Sequence, residues 1–238
     1  MHNVLVFIHG SGDDSRIWRQ QIDYFGEQRA LAIDLPGHGQ RPDILPSTAT
    51  VRDYAHAVSR IVHDELHLSR PIIAGHSLGG AIALTMALEY SDTLAGLLLI
   101  GTGARLRVLP TLLEEAQQAP WQAKTHLTEL AATPDFVRTL LPAAPAGPFS
   151  ASANNLYRDL AACNSFDIMT QLHEIQLPAL IICGTEDRLT PAKYSQYLHQ
   201  QLQHSTLYLL PHSGHYVMCE QAEAVNSAIE QWIKTLQL

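Results

Sequence analysis

Ser77 stands between two glycines in Gly75-His76-Ser77-Leu78-Gly79, directly after the apolar run Pro71-Ile72-Ile73-Ala74 and before Ala81-Ile82-Ala83-Leu84-Thr85-Met86-Ala87-Leu88. A serine hydroxyl becomes a useful nucleophile when a base takes its proton and a sharp turn exposes it to the substrate. A strand, a glycine-bracketed serine and a helix are the sequence form of such a turn. Glycines beside the serine let the chain reverse where side chains would collide. A helix starting behind Ser77 would aim its free N–H groups and positive dipole end at developing negative charge. This spacing points to acyl transfer, but five residues carry little weight alone. The reading depends on the elements around them.

Short apolar runs recur along the chain at Val4 to Ile8, Ala30 to Ile33, Pro71 to Ala74, Leu97 to Ile100, Leu180 to Cys183 and Thr206 to Leu210. They are continuous rather than alternating, as in strands buried on both faces of a parallel sheet. Helical stretches between them imply right-handed crossovers and an α/β fold with a doubly wound, mostly parallel sheet of about six strands. Ligands of such sheets sit beyond the carboxyl ends of the strands, the edge where Ser77 falls. Between about Thr50 and Leu66, Val51, Tyr54, Ala55, Val58, Ile61, Val62 and Leu66 keep to one side of a helical wheel. His56, His63 and His67 fall on the opposite side, which reads as a solvated polar face. His63-Asp64-Glu65-Leu66-His67 lacks the Glu directly after the first His that a zinc motif requires, so no metal is expected.

From Ala104 to Leu177 the pattern changes. Prolines 110, 120, 134, 142, 145 and 148 divide amphipathic pieces at Leu112 to Gln118, Trp121 to Ala132, Asp135 to Leu141 and Ser152 to Ala162. The stretch is too long for an ordinary connection. It is expected to be a helical cap, residues 104–177, inserted into a core of residues 1–103 and 178–238 and lying over Ser77. Leu112, Leu113, Trp121, Leu127, Leu130, Phe136, Leu140 and Leu156 are its candidate pocket residues, alongside the plainer reading of core packing.

Composition bounds the partners. The 238 residues are 46% hydrophobic with a formal net charge of −8 and no basic run, which argues against nucleic acid or an anionic membrane surface. Cys163, Cys183 and Cys219 are too few and scattered for a disulfide framework and suit a reducing compartment. No apolar stretch reaches the roughly 18 residues of a membrane span, and Met1-His2-Asn3 offers no basic leader. A cytoplasmic location is expected.

Five segments in order, His9-Gly10-Ser11-Gly12, Asp34-Leu35-Pro36-Gly37-His38-Gly39, Gly75 to Gly80, Gly184-Thr185-Glu186-Asp187 and Gly214-His215, resemble the α/β-hydrolase family over nearly the whole chain. The resemblance implies Ser77 as nucleophile, His215 as its base and Asp187 as the acid that fixes the tautomer of His215. His212 and Glu186 are the neighbouring competitors, and Asp34 reads as a structural turn. The family position also implies an oxyanion hole from the backbone N–H groups of Leu78 and Ser11, with no cofactor. A carboxylesterase acting on a small-molecule substrate with a modest apolar group is the expected activity. A thioesterase, lactonase or C–C hydrolase would use the same residues. The menaquinone-pathway synthase of this fold shares the compact size, but Ala81 stands where it has an arginine, leaving Arg105 or Arg107 to substitute. A hormone-receptor-like ligand binder of the same fold is the reading from a different class. The family usually opens with an extra hairpin, whereas this chain begins at the strand leading to His9. That would leave Ala30 to Ile33 at a sheet edge, so the expected state is a monomer or a homodimer paired through it.

Overall fold

The computed structural model describes residues 3–134, 136 and 155–236. Six strands, β1 (Leu5–Ile8), β2 (Ala30–Ile33), β3 (Ile72–His76), β4 (Gly96–Ile100), β5 (Ala179–Gly184) and β6 (Ser205–Leu210), form one sheet in the order β2-β1-β3-β4-β5-β6. All five pairings are parallel. The continuous apolar runs divide by the two-residue pleat into two cores. Val6, Ile8, Ile73, Leu97, Leu99 and Ile181 face one, while Leu5, Phe7, Ile72, Leu98, Ile100, Leu180 and Ile182 face the other.

Helices close both faces. On the first lie α2 (Val51–Arg60) and α3 (Leu78–Glu89), which is buried from Leu78 to Ala87. On the second lie α1 (Arg19–Phe25) and α9 (Ala222–Thr235), which contribute Phe25, Ile229 and Trp232. Two further helices follow the last two strands, α7 (Ala192–Gln201) after β5 and α8 (Val217–Glu220) after β6. The chain leaves β1 for one neighbour, β2, and returns on its other side as β3, so the switch point of the sheet lies between the carboxyl ends of β1 and β3. His9 to Asp14 and Ser77 emerge there.

The helix expected over Thr50 to Leu66 starts on a capping box between Thr50 and Asp53 and ends early, at Arg60. Residues Ile61–Glu65 open into a wider turn in which the Leu66 N–H reaches the Ile61 carbonyl at 2.9 Å. That extra residue per turn rotates Leu66 out of the buried stripe, and it is 37% exposed. Of the histidines expected on the far side, His56 pairs with Glu89 at 2.8 Å and His63 donates to the Leu68 carbonyl.

Between β4 and β5 run α4 (Pro110–Gln118), α5 (Pro120–Ala131) and α6 (Leu156–Ser165). The first two open on proline at the first helical position, where its missing N–H costs nothing. Leu112, Ala116, Ala123, Leu127, Leu156 and Leu160 give this segment a small core of its own. An antiparallel bridge between Arg105 and Asp167 ties its entry to its exit. The expected piece from Asp135 to Leu141, apart from residue 136, and the start of the piece from Ser152 lie outside the described residues.

Candidate active site

Ser77 follows β3 with φ +52° and ψ −113°, a conformation that costs a non-glycine residue roughly 1–3 kcal/mol. Its surroundings enforce the strain. The Ser77 N–H donates to the Ile100 carbonyl at 3.0 Å, and the Thr102 hydroxyl donates to the Ser77 carbonyl at 2.8 Å. A Cβ on Gly75 would overlap the Gly79 carbonyl, and one on Gly79 would overlap the Ile8 carbonyl. The two glycines are therefore a packing requirement between β3, α3 and β1. Leu78 opens α3, so its N–H has no acceptor within the helix.

His215 lies in the loop after β6. Its Nδ1–H donates to Asp187 Oδ2 at 2.8 Å, which fixes the tautomer and leaves the Nε2 lone pair available. Asp187 also accepts from the Leu189 N–H, the Thr190 N–H and the Thr190 hydroxyl at 2.8–2.9 Å. Burial opposes its ionisation, yet His215 and these bonds hold its carboxyl below the ordinary value. The backbone of His215 is held too, since its N–H donates to the Ala131 carbonyl at 2.6 Å and its carbonyl accepts from His76 Nε2 at 3.0 Å. The His76 and His215 rings pack with centroids 4.5 Å apart.

The competitors stand apart from this arrangement. His212 and Glu186 approach one another at 3.6 Å with side chains 89% and 53% exposed. Asp34 closes a turn by accepting from the Ser15 and Gln40 N–H groups.

The loop after β1 completes the site. A Cβ on Gly10 would lie 3.2 Å from Ser77 Cβ, so this loop passes directly beside the serine. Buried His9 accepts the Leu35 N–H on Nε2 at 3.0 Å and donates Nδ1–H to the Gly10 carbonyl at 2.8 Å, which is the neutral ring. Burial first, then the neighbouring His38, pushes its pKa down to about 4.

Ser77 and His215 line one cavity of about 360 Å³ together with Ser11. Of the expected pocket residues, Leu112, Leu127 and Leu130 reach it. Leu156 packs into the core of its own segment and Trp121 is 57% exposed. Leu113 packs against that same core, Phe136 packs against the second sheet core, and Leu140 lies outside the described residues. Leu160, Cys163 and Tyr194 line the cavity without having been singled out. Arg107 also lines it, whereas Arg105 pairs with Asp167 at 3.4 Å. Asp13 lines it too, and receives Lys124 of α5 at 2.5 Å and the hydroxyl of Tyr216 at 3.2 Å. The turn at Asp187 was legible in principle, because an aspartate commonly accepts the N–H two residues on, here that of Leu189. Asp13, Lys124 and Thr102 had no local signal.

A doubly wound sheet with a strained serine at its switch point and, in the same cavity wall, a histidine bonded to an aspartate has the architecture of an α/β-fold hydrolase. Residues 5–228 match the model of the alpha/beta hydrolase family, and the chain belongs to that family. It is similar to 3-oxoadipate enol-lactonase 2 of Acinetobacter baylyi, 26% identical with 97% of this chain and 88% of the relative covered. The (E)-2-((N-methylformamido)methylene)succinate hydrolase of the same organism is 24% identical, with 97% and 90% covered. A solved structure of a thermophilic esterase is 31% identical at a TM-score of 0.82, covering 98% of this chain and 90% of that one. Among the described residues no helix is long and apolar enough to cross a membrane.

Proposed function

We propose that the protein is a serine hydrolase that cleaves small carboxylic esters through Ser77, His215 and Asp187. Ser77 Oγ attacks the acyl carbonyl while His215 Nε2 takes its proton. The Leu78 and Ser11 N–H groups stabilise the oxyanion. His215 then returns the proton to the departing alcohol, leaving an acyl-enzyme on Ser77. Water, deprotonated by the same histidine, attacks that ester and restores the serine. Asp187 holds the imidazole in the tautomer both steps need. The segment of α4, α5 and α6 acts as a cap whose leucines accept a modest apolar group.

The observation that carries this reading is the 2.8 Å Asp187–His215 bond sharing one cavity with a serine held at positive φ. Strain at a functional residue persists where its surroundings impose it. Ser77→Ala should abolish turnover of short p-nitrophenyl esters while leaving the circular dichroism spectrum unchanged. A fluorophosphonate should label Ser77, and undiminished turnover in the variant, or a label at another residue, would end the proposal. A panel of esters, thioesters and lactones of graded chain length then identifies the bond cleaved.

A further inference from the structure

We propose that Asp159, on α6, is the positioning residue for the oxyanion donor at Ser11, so that the cap helix helps to set the geometry of the hole beneath it. The inference rests on the hydrolase reading above. An N–H donor accelerates acyl transfer to the extent that it is already aimed before charge develops. The loop that carries it, Gly10-Ser11-Gly12, has glycine on both sides and Gly12 at φ +65°, so it holds little conformational preference of its own.

The direction of the Ser11 N–H is fixed through its own peptide plane. That plane contains the Gly10 carbonyl, which accepts from His9 Nδ1 at 2.8 Å and from the Asp13 N–H at 3.3 Å. In a trans peptide the N–H points opposite to the carbonyl, so the Ser11 N–H faces away from those donors, in a loop that passes beside Ser77. Closing the turn from Gly10 to Asp13 is therefore what aims the donor.

Three residues outside the core sheet close that turn. Asp159 Oδ2 accepts the Gly12 N–H at 2.9 Å. Cys163, one helical turn further along α6, places Sγ 3.6 Å from Ser11 Oγ, and Lys124 of α5 pairs with Asp13 at 2.5 Å. Asp159 is itself immobilised. It is fully buried and accepts His38 Nε2 at 2.9 Å on the same oxygen and the Tyr54 hydroxyl at 2.5 Å on the other. Arg158 supports Tyr54 with a 2.9 Å bond from Nε. A buried carboxylate with its partners in place is a rigid acceptor, because moving it would leave a charge unpaired. His38 and Tyr54 anchor it to the core, and it anchors Gly12 in turn. Asp159 touches no reacting atom in this scheme.

The test compares Asp159→Ala and Asp159→Asn with the wild type on a p-nitrophenyl ester. Rates are expressed per Ser77 titrated with a fluorophosphonate, and a trifluoromethyl ketone serves as the mimic of the tetrahedral intermediate. Asp159→Ala is expected to lower kcat roughly 10–100-fold, somewhat less than deletion of a donor, with KM within about threefold. The affinity for the trifluoromethyl ketone should fall by the same factor. Asp159→Asn, which keeps an acceptor oxygen, should fall in between. Wild-type kcat and ketone affinity in folded Asp159→Ala would overturn the inference, as would a kcat loss without a matching loss of ketone affinity. If the alanine variant does not fold, Asp159→Asn decides by the same correlation at smaller amplitude. Failure of the underlying reading looks different, since wild-type protein would then neither turn over the ester nor bind the ketone.

Discussion

At the scale of single residues, Asp187 differs from the other buried acids in facing a base at the cavity wall. Asp187→Asn preserves shape but can donate toward His215 Nδ1, which turns the imidazole to the wrong tautomer. A fall in kcat on the order of 10³–10⁴-fold with an unchanged melting temperature is expected in steady-state assays. The cysteines give a contrasting prediction. Burial pushes the Cys163 and Cys183 thiols up to about 12 and raises Cys219 further. At pH 8 Ellman's reagent should therefore react slowly with the native protein and with three thiols after denaturation. That Ser77 and the bonded His215–Asp187 pair come together was readable from the family resemblance, because each sits in a short motif at a strand end. Asp159 and Lys124 were not, because their partners Gly12 and Asp13 lie 147 and 111 positions away in sequence. No local window joins them.

At the scale of elements, the β3–Ser77–α3 unit tolerates no Cβ at two places. Gly75→Ala or Gly79→Ala would force backbone oxygen and carbon into overlap, so either variant is expected to lose most activity and to melt at lower temperature by differential scanning calorimetry. The cap of α2 is an ordinary contribution by comparison. Thr50→Ala removes an acceptor for the Asp53 N–H and should cost about 1 kcal/mol in urea unfolding, with kcat unaffected. The strands could be read from sequence because a doubly buried strand is an unbroken apolar run. The end of α2 could not, since the wheel of Val51 to Leu66 continues smoothly through the wide turn at Ile61. That turn is a backbone choice that side-chain periodicity does not record.

At the scale of the whole molecule, buried histidines set the acid limit. His9, with a pKa near 4, stays neutral in the native state while the unfolded chain takes up its proton near pH 6.5. His76 is depressed in the same direction, mainly by burial and then by the neighbouring His215. Between pH 6.5 and 4 these two groups make the unfolded state bind more protons, so stability falls as pH falls. His38 works oppositely. Although burial opposes it, Asp159 raises its pKa, and the stability it contributes is full below pH 6.5 and lost as pH rises through the raised value. Because the contribution of His38 no longer changes below pH 6.5, the melting temperature should drop from pH 6.5 to 4, and His9→Asn should flatten that slope. An unchanged slope in a folded variant would remove His9 from the account. The edge position of β2 matches the expectation from sequence, and a four-residue strand leaves little unpaired backbone for a second copy to join.

The strand order has a consequence for the way the chain is made. β1 is made before the other five strands described, yet it lies inside the sheet, flanked by β2 on one side and β3 on the other. Its second neighbour does not exist until Ile72 has emerged. The residues that grip the Ser11 loop follow at positions 124, 159 and 163, and the aspartate–histidine pair arrives last, at 187 and 215. A nascent chain therefore carries β1 incompletely paired until β3 emerges, and β4 then waits from Ile100 to Ala179 for β5, the situation in which parallel sheets are slow and exposed to misassociation. Ser77, the proposed nucleophile, is synthesised long before the pair proposed to activate it. On that reading, competence for acyl transfer arrives only with β6 and the loop that follows it.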